Sequence, residues 1–323
     1  MVQKKLIKIY FTDFWPGLEK DNYFLRLLQK HFNVVVDANP DYLFFSVYGS
    51  SHLQYANCIK IFFTGENVVP DFNVCDYALG FNYLQFEDRY MRFPLYAIYP
   101  GYQQLTQKKV IDAQVLHRKF CNFVYSNNTY ADPARTLFFN ALSKYKKIDS
   151  GGRYLNNMGG PVADKMSFIS QYKFSIAFEN SVSPGYTTEK IMEPMVVNSM
   201  PVYYGNPLIH LDFNTDAFIQ VSQTNPFEKS IEEIIKLDMD DNMYLAKLNL
   251  PWLQEDAAPA RLEHEAVKFF TNIFQQPFNT AKRKTEHGFN LFKTGEQIQH
   301  AHLIQKHKKR NYFKTRIRSF FLR

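Results

Sequence analysis

Short apolar segments alternate with segments of helical periodicity along most of the chain, and this alternation limits the possible folds more than any other feature. In the first third, a helical segment at residues 22–32 separates two strand-like segments rich in β-branched residues. Further strand-like segments follow. The five strand-like segments of this part lie at residues 5–11, 33–36, 42–48, 59–66 and 76–81. Mostly apolar strands that alternate with helices predict a parallel sheet with both faces covered.

A second alternating set follows a polar stretch at residues 100–118, which we interpret as the connection between two domains. Strands are predicted at 120–126, 172–180, 200–205 and 217–222, and helices at 134–145, 187–197 and 230–238. The predicted fold class is therefore α/β, with two Rossmann-type domains at residues 1–116 and 117–280. Ligands of such sheets bind at the carboxyl ends of the strands, so we expect a site in a cleft between the domains.

Composition excludes several classes of protein. With 323 residues, 46% of them hydrophobic, the chain suggests about two globular domains rather than a disordered protein. No stretch approaches the ~18 uncharged apolar residues that a membrane-spanning helix needs. The cysteines, Cys58, Cys75 and Cys121, are odd in number and lack metal-type spacing. We expect buried free thiols in a reducing compartment, and the N-terminus resembles a first strand rather than a signal peptide.

The positive charge is concentrated at one end of the chain. Residues 281–323 carry 12 of the 38 Lys and Arg but only 2 Glu, and we treat them as a separate basic tail. Within 306–323, Phe313, Ile317, Phe320 and Phe321 fall on one helical face among basic residues. This pattern favours a helix lying on an anionic membrane surface, which predicts a cytoplasmic protein at the inner face of the cytoplasmic membrane. Nucleic acid, which we disfavour, and an inert tail are the alternatives.

Two basic residues stand where a helix follows a strand. Lys190 and Arg135 each occupy a predicted first helical turn, where a cation opposes the helix dipole. A bound anion near the free N–H groups of the helix would explain such a placement, and the Arg fork suits a diphosphate. In the alternative interpretation Thr187 or Thr188 caps the helix, and both cations are solvated.

Glu66 ends an apolar strand, where a carboxylate bordering a cleft can act as a general base; it could equally be an ordinary loop carboxylate. The Asp-x-Asp pattern at 238–241 ends an amphipathic helix, so we interpret it as a solvated helix end rather than a metal site. The nine His have no zinc-type spacing.

Residues 178–191, FENSVSPGYTTEKI, resemble the donor-binding signature of α1,3/4-fucosyltransferases, the family-10 glycosyltransferases. Residues 62–81 and 202–207 resemble the same family. This resemblance implies a GT-B architecture, with the acceptor sugar on the first domain and GDP-fucose on the second. It also implies inverting transfer of L-fucose to the GlcNAc of an N-acetyllactosamine-type acceptor, in Lewis x-like or lipopolysaccharide glycans.

The resemblance assigns roles residue by residue. Glu66 matches the general base, and Arg135 and Lys190 match the residues that hold the diphosphate. The remaining matches are Glu189 for the ribose hydroxyls, Tyr186 for the nucleotide pocket, Glu179 and Asn180 near the fucose and diphosphate, and Asn127 in a phosphate-side turn. No obligatory metal is implied, and stimulation by a divalent metal stays open. Two other functions stay open: a glycoside hydrolase using Glu66 and Glu179, and a membrane-associated lectin.

Overall fold

The structure is a computed structural model that describes residues 5–18, 22–222, 227–254, 259–285, 287–289, 292, 295–303 and 306. The described chain divides into two compact units. The first unit comprises the residues up to Gly80, Gln85–Met91, and the residues from Val267 onward. The second unit comprises Phe81–Leu84 and Arg92–Ala266.

The first unit is built on a sheet of the strand order β2-β1-β3-β4-β5-β6. The pairs from β2 to β5 are parallel, as the sequence predicts. Helix α1, Tyr23–His31, begins where the Asn22 side chain accepts a hydrogen bond from the Leu25 N–H at 2.9 Å. The strands are β1 (Leu6–Thr12), β2 (Asn33–Val36), β3 (Tyr42–Phe45), β4 (Ile59–Phe63), β5 (Tyr77–Gly80) and β6 (Tyr90–Arg92).

The second unit is built on a parallel sheet of the order β11-β10-β9-β7-β8. All seven residues of the central strand β9, Tyr172–Phe178, are buried, because helices cover both faces. The other strands are β7 (Lys119–Phe123), β8 (Ile148–Ser150), β10 (Met200–Tyr204) and β11 (Ile219–Gln220). The helices are α2 (Pro100–Gln104), α3 (Ala134–Leu142), α4 (Lys165–Ile169), α5 (Glu189–Val196), α6 (Glu228–Met239) and α7 (Asp241–Leu248).

The units differ in their limits from the predicted domains. Residues 100–118 belong to the second unit, because α2 packs on α5: a Cβ added at Gly101 would lie 2.9 Å from Val196 Cγ2. Helix α8, Pro259–Gln275, enters the first unit at Val267. Its Phe270 and Phe274 rings then pack on the aromatic core of that unit, including Phe24, Phe44 and Tyr42. The predicted limits at residues 116 and 280 miss both arrangements.

The beginning of the predicted basic tail is part of the first unit. After α9, Phe278–Ala281, the Arg283 guanidinium pairs with Asp88 at 2.6 Å. The backbone N–H of Lys284 donates to the buried Asp76 carboxylate at 2.7 Å. Because of these contacts, residues 283–284 are part of the first unit and not of a separate tail. Apart from residue 306, the predicted lipid-binding helix at 306–323 lies outside the described residues.

Two composition-based predictions can be compared with the described residues. Cys58, Cys75 and Cys121 are free and buried, as expected. Burial raises the pKa of the Cys58 thiol to about 11, so it is not a reactive thiolate at neutral pH. No helix in the described ranges combines the length and hydropathy needed to cross a bilayer.

Candidate active site

The end of the central strand β9 organises the candidate site. Strand β9 stops at Phe178, and the next residue, Glu179, continues the ladder by donating its N–H to the Tyr204 carbonyl oxygen at 2.8 Å. The Glu179 side chain is fully buried. Residues 178–180 therefore lie at the carboxyl edge of a parallel sheet, where ligands of such sheets bind.

Arg135 reaches this edge from the first turn of α3, which follows the neighbouring strand β7. Its Nη2 donates to the Phe178 carbonyl oxygen at 3.2 Å and to Asn180 Oδ1 at 2.8 Å. Its Nη1 donates to the Asn127 carbonyl oxygen at 3.3 Å. The side chain is only 1% exposed. The structure thus brings together three residues that the sequence singled out: Arg135, Asn180 and Asn127.

The charge of Arg135 is not neutralised by any carboxylate within the part of the chain that the structure describes. Its three acceptors are neutral oxygens, and its buried Nε has no hydrogen-bond partner there. A buried charge without a counterion is costly, and a guanidinium pairs well with a diphosphate. This arrangement favours the binding of an anion.

Tyr125 supports the same edge, and sequence reasoning missed it. The Arg135 guanidinium carbon lies 4.0 Å from the centre of the Tyr125 ring, a cation–π contact. The Tyr125 hydroxyl accepts from the Phe178 N–H at 2.6 Å and lies 3.0 Å from the Ile176 carbonyl oxygen. Burial raises the pKa of Tyr125 to about 12, although Arg135 and Lys190 both oppose the rise. Both cations thus act on one hydroxyl beneath the strand end.

Lys190 lies in the first turn of α5 and is held by the protein's own carboxylates. Its Nζ lies 3.2 Å from Glu179 Oε2, 3.7 Å from Glu189 Oε1 and 2.9 Å from Thr188 Oγ1. Burial lowers the pKa of Lys190, but the two carboxylates outweigh this effect and raise it, so Lys190 is a cation at any ordinary pH. Burial raises the pKa of Glu179, against the opposing charge of Lys190.

At the N-terminus of α5, Thr188 is the capping residue, as in the alternative interpretation of the sequence. Glu179 accepts hydrogen bonds from the N–H and the hydroxyl of Thr188, both at 2.7 Å. Thr188 in turn caps the helix by accepting from the Lys190 N–H at 3.5 Å. The N–H groups of residues 188 and 190 are therefore not free for an outside anion. The anion that explains Lys190 at this place belongs to the protein itself.

Two glycines allow this packing. A Cβ at Gly205 would lie 2.5 Å from Glu179 Cγ, so only glycine leaves room for the buried carboxylate. Gly185 has φ +86°, and a Cβ there would lie 2.0 Å from the Phe81 carbonyl oxygen. Asn206 Oδ1 fixes the loop before α5 by accepting a hydrogen bond from the Gly185 N–H at 2.7 Å. Tyr186, the predicted nucleotide-pocket residue, is buried. Its ring packs edge-on against the Phe81 ring, with the ring centres 4.8 Å apart.

Glu66, the predicted base, lies in the first unit just beyond β4. Its Oε1 accepts a hydrogen bond from the Tyr48 hydroxyl at 2.6 Å, and its backbone N–H donates to Thr64 Oγ1 at 3.0 Å. The residue is half-buried. A carboxylate held by one donor and still open on one side can accept a proton from a bound hydroxyl.

The Asp-x-Asp pattern has structural roles that make a metal unnecessary to explain it. Asp238 accepts from the Tyr145 hydroxyl and pairs with Lys146 at 2.9 Å. Asp240 caps α7 by accepting from the Met243 N–H at 3.0 Å. Among the residues that the structure describes, no three His, Cys, Asp or Glu side chains are grouped so that they could hold a metal ion.

Two α/β units in one chain, each built on parallel strands, with buried cations at a carboxyl strand edge in one and a strand-end carboxylate in the other, are typical of GT-B glycosyltransferases. Three structures of α1,3-fucosyltransferase have this fold. The structure with GDP aligns with a TM-score of 0.72 and 27% identity over 88% of this chain and 94% of that chain. The structure with GDP-fucose aligns with a TM-score of 0.70 and 27% identity over 85% and 93%.

Two family models match the chain in succession. The model "Alpha-(1,3)-fucosyltransferase FucT N-terminal domain" matches residues 9–99, and "Glycosyltransferase family 10 (fucosyltransferase) C-term" matches residues 116–276. The chain belongs to the family-10 glycosyltransferases, as the signature at 178–191 predicts.

Two curated relatives show how far the similarity extends. The α-(1,3)-fucosyltransferase FucT of Helicobacter pylori is 32% identical over 290 residues, which cover 75% of this chain and 59% of that protein. This chain thus spans about three fifths of that relative's length. The human GDP-fucose protein O-fucosyltransferase 3 is 33% identical over 144 residues, covering 41% of this chain and 30% of that protein.

Proposed function

We propose that this protein is an inverting α1,3-fucosyltransferase that transfers L-fucose from GDP-β-L-fucose to the GlcNAc of an N-acetyllactosamine-type acceptor. The observation that carries the proposal is the buried Arg135 at the end of β9, which has only neutral oxygen partners among the described residues. Family membership and similarity to a structure with GDP-fucose support the choice of donor. Products of the Lewis x or lipopolysaccharide type are part of the same proposal.

The donor would be held by the second unit. Arg135 would pair with the diphosphate, because its guanidinium is oriented by three fixed oxygens and the Tyr125 ring. Lys190 would add a second positive charge to the site, with its position fixed by Glu179. Glu189, Tyr186, Asn180 and Asn127 are assigned to ribose, nucleotide and phosphate contacts. Of the two cations, we expect Arg135 to contribute more, since two carboxylates already compensate Lys190.

The reaction is one displacement. The acceptor hydroxyl oxygen forms a bond to C1 of fucose while the bond from C1 to the β-phosphate oxygen breaks on the opposite face. Glu66 takes the proton of the acceptor hydroxyl, and GDP leaves with one more negative charge than it had as part of the donor. Arg135 and Lys190 stabilise that charge; removal of one preorganised donor of this kind costs roughly 10²–10³-fold in kcat.

Two observations bear on the alternative of a glycoside hydrolase. A retaining or inverting hydrolase needs two carboxyl groups that reach the sugar. Glu179 is fully buried, and both of its oxygens already accept hydrogen bonds from Thr188 or Lys190. This geometry disfavours Glu179 as a nucleophile or acid.

The test is incubation with GDP-fucose and a panel of small acceptors, with the product linkage determined by NMR. We expect α1,3-linked fucose on the GlcNAc of N-acetyllactosamine. Sugar release without a nucleotide donor would indicate a hydrolase, and glycan binding without turnover would indicate a lectin. The variant Glu66→Gln should lose about 10²–10⁴-fold in transfer and retain GDP binding. The variant Glu87→Gln, at an exposed loop of the same unit, is the matched control.

We also propose that the segment 306–323 holds the enzyme at an anionic membrane surface, at the inner face of the cytoplasmic membrane. The support is the sequence pattern, which places aromatic and aliphatic residues on one helical face among eight Lys and Arg. Each basic residue near such a surface contributes about 1 kcal/mol.

A further inference from the structure

The first unit contains a cavity of about 730 Å³ near the carboxyl ends of β3 and β4. Small-molecule sites usually measure about 300–1,000 Å³. Residues 45–53 form one wall, and helical residues of the segment 295–303 contribute another. The remaining lining residues are Phe62, Val68, Val69, Val74 and one carboxylate, Asp71. The described walls thus combine apolar side chains with polar ones in similar measure.

One of these polar groups is His52, and it is held rigidly. Its Nδ1 lies 2.7 Å from Asp13 Oδ2, and its ring stacks on Phe45 with the ring centres 4.2 Å apart. Asp13 also accepts from the N–H groups of Ser51 and His52, at 2.9 and 2.8 Å. A carboxylate at Nδ1 accepts a hydrogen bond from the proton on that nitrogen, so in the neutral ring Nε2 carries the lone pair. Burial raises the pKa of Asp13, but the hydrogen bonds from His52 and Ser51 outweigh this effect and lower it.

Two backbone features surround this pair: a positive φ at Asp13 and a close approach of Gly49. Asp13 has φ +59°, a left-handed conformation that is uncommon outside glycine, although aspartate adopts it more readily than most residues. A Cβ at Gly49 would lie 2.2 Å from Asp13 Oδ1, so position 49 must be glycine while Asp13 stays there. Strain of this kind persists where the surroundings hold it, and it is concentrated at functional sites.

A second polar residue of the wall is Ser46. The residue is 1% exposed, and its Oγ has no hydrogen-bond partner among the described residues. Buried hydroxyls are normally paired, so a ligand that brings its own hydroxyl group would complete this site.

Tyr48 connects the cavity to the proposed base. It lines the cavity, is 46% exposed, and packs edge-on against Trp15 with the ring centres 6.0 Å apart. Its hydroxyl donates to Glu66 at 2.6 Å. A ligand in the cavity that contacts Tyr48 therefore contacts a side chain that is hydrogen-bonded to Glu66.

We propose that this cavity binds the acceptor saccharide and that His52 Nε2 accepts a hydrogen bond from one of its hydroxyl groups. Asp13 is the positioning residue for His52, and Ser46 contributes a second polar contact. A saccharide fits because it offers hydroxyls to polar groups and C–H faces to aliphatic and aromatic side chains. The assignment rests on the proposed function and names residues for its acceptor side.

The test is steady-state kinetics with N-acetyllactosamine and GDP-fucose varied separately. His52→Asn keeps a side-chain N–H near Asp13 but removes the group at Nε2, so we expect the KM for the acceptor to rise by about 10-fold, the loss of one good hydrogen bond. The KM for GDP-fucose should keep its wild-type value. His52→Gln can place an amide near the Nε2 position and should lose less. His264→Asn, at an exposed position of α8, is the control.

Ser46→Ala provides a second variant in case His52→Asn folds poorly. Removal of a buried hydroxyl without a protein partner should leave the melting temperature equal or higher, while the KM for the acceptor rises. An unchanged acceptor KM in both His52→Asn and Ser46→Ala would overturn the assignment. If the wild-type protein itself transfers no fucose, the proposed function fails. Transfer by the wild type with unaltered variants refutes only the acceptor assignment.

Discussion

The buried pair of Glu179 and Lys190 allows a quantitative test of the site. In Glu179→Gln, one amide oxygen can still accept from the Thr188 N–H, but the amide NH₂ then faces the Thr188 hydroxyl and the Lys190 ammonium. The substitution removes one partner of an ion pair that is 3.2 Å long and whose carboxylate is fully buried. Loss of one partner of a buried pair costs about 3–5 kcal/mol. At about 2–4 °C for each kcal/mol, the melting temperature of the second unit should fall by at least about 6 °C.

The assays are thermal unfolding and urea unfolding of the full chain, both followed by far-UV circular dichroism, with the double variant Glu179→Gln/Lys190→Met included. The double variant should be less destabilised than the sum of the single variants, by about 1–3 kcal/mol, because the pair is coupled. The matched control is Glu193→Gln, whose partner Lys165 is 38% exposed; we expect about 1 kcal/mol or less. Equal, small losses in Glu179→Gln and in the control, with additive behaviour of the double variant, would refute the reasoning.

Three further predictions follow from other parts of the chain. Gly205→Ala would place a methyl group 2.5 Å from Glu179 Cγ, so it should destabilise the second unit by about 1–3 kcal/mol in the same urea assay, and a neutral result would contradict the packing. Burial lowers the pKa of Lys60 from the ordinary lysine value of 10.5 to about 8. The buried charge therefore reduces the free energy of unfolding. This loss is complete below pH 8 and disappears as the pH rises towards 10.5. Lys60→Met should therefore stabilise the first unit by about 3 kcal/mol at pH 7 and by much less at pH 10, as thermal melts at the two pH values can check. Deletion of residues 306–323 should reduce co-sedimentation with anionic lipid vesicles and leave transfer to soluble acceptors intact; unchanged sedimentation would remove the membrane assignment.

Much of the fold was predictable, because apolar periodicity determines parallel strands and the helices between them. The segments 33–36 and 172–180 contain strands β2 and β9, the segment 5–11 is shifted from β1 by one residue, and Asn22 caps the predicted helix. The unit limits were not predictable in this way. The return of the chain to the first unit depends on Phe270 and Phe274 finding an aromatic core more than 200 residues earlier, and local periodicity carries no information about such contacts.

The candidate site shows a similar division. The sequence identified Arg135 and Lys190 from their unfavourable place in a first helical turn, and both lie at the end of β9. It did not indicate that Glu179 would supply the counter-charge of Lys190. A glutamate at the end of a strand and a lysine in the helix after the next loop show no relation in sequence. Tyr125 and the pair of Asp13 and His52 were missed for the same reason. Their roles come from contacts between segments that are 10 to 53 residues apart.

The most direct test of the central claim, that Arg135 holds a diphosphate, is calorimetric titration of the wild-type chain and of Arg135→Met with GDP and with GMP. The β-phosphate should make GDP bind the wild type more tightly than GMP by at least about 10-fold, as a charge-assisted hydrogen bond of about 1.5–3 kcal/mol implies. In Arg135→Met that preference should fall to about 3-fold or less, while GMP binding changes little. A variant that keeps the full preference for GDP would contradict the account.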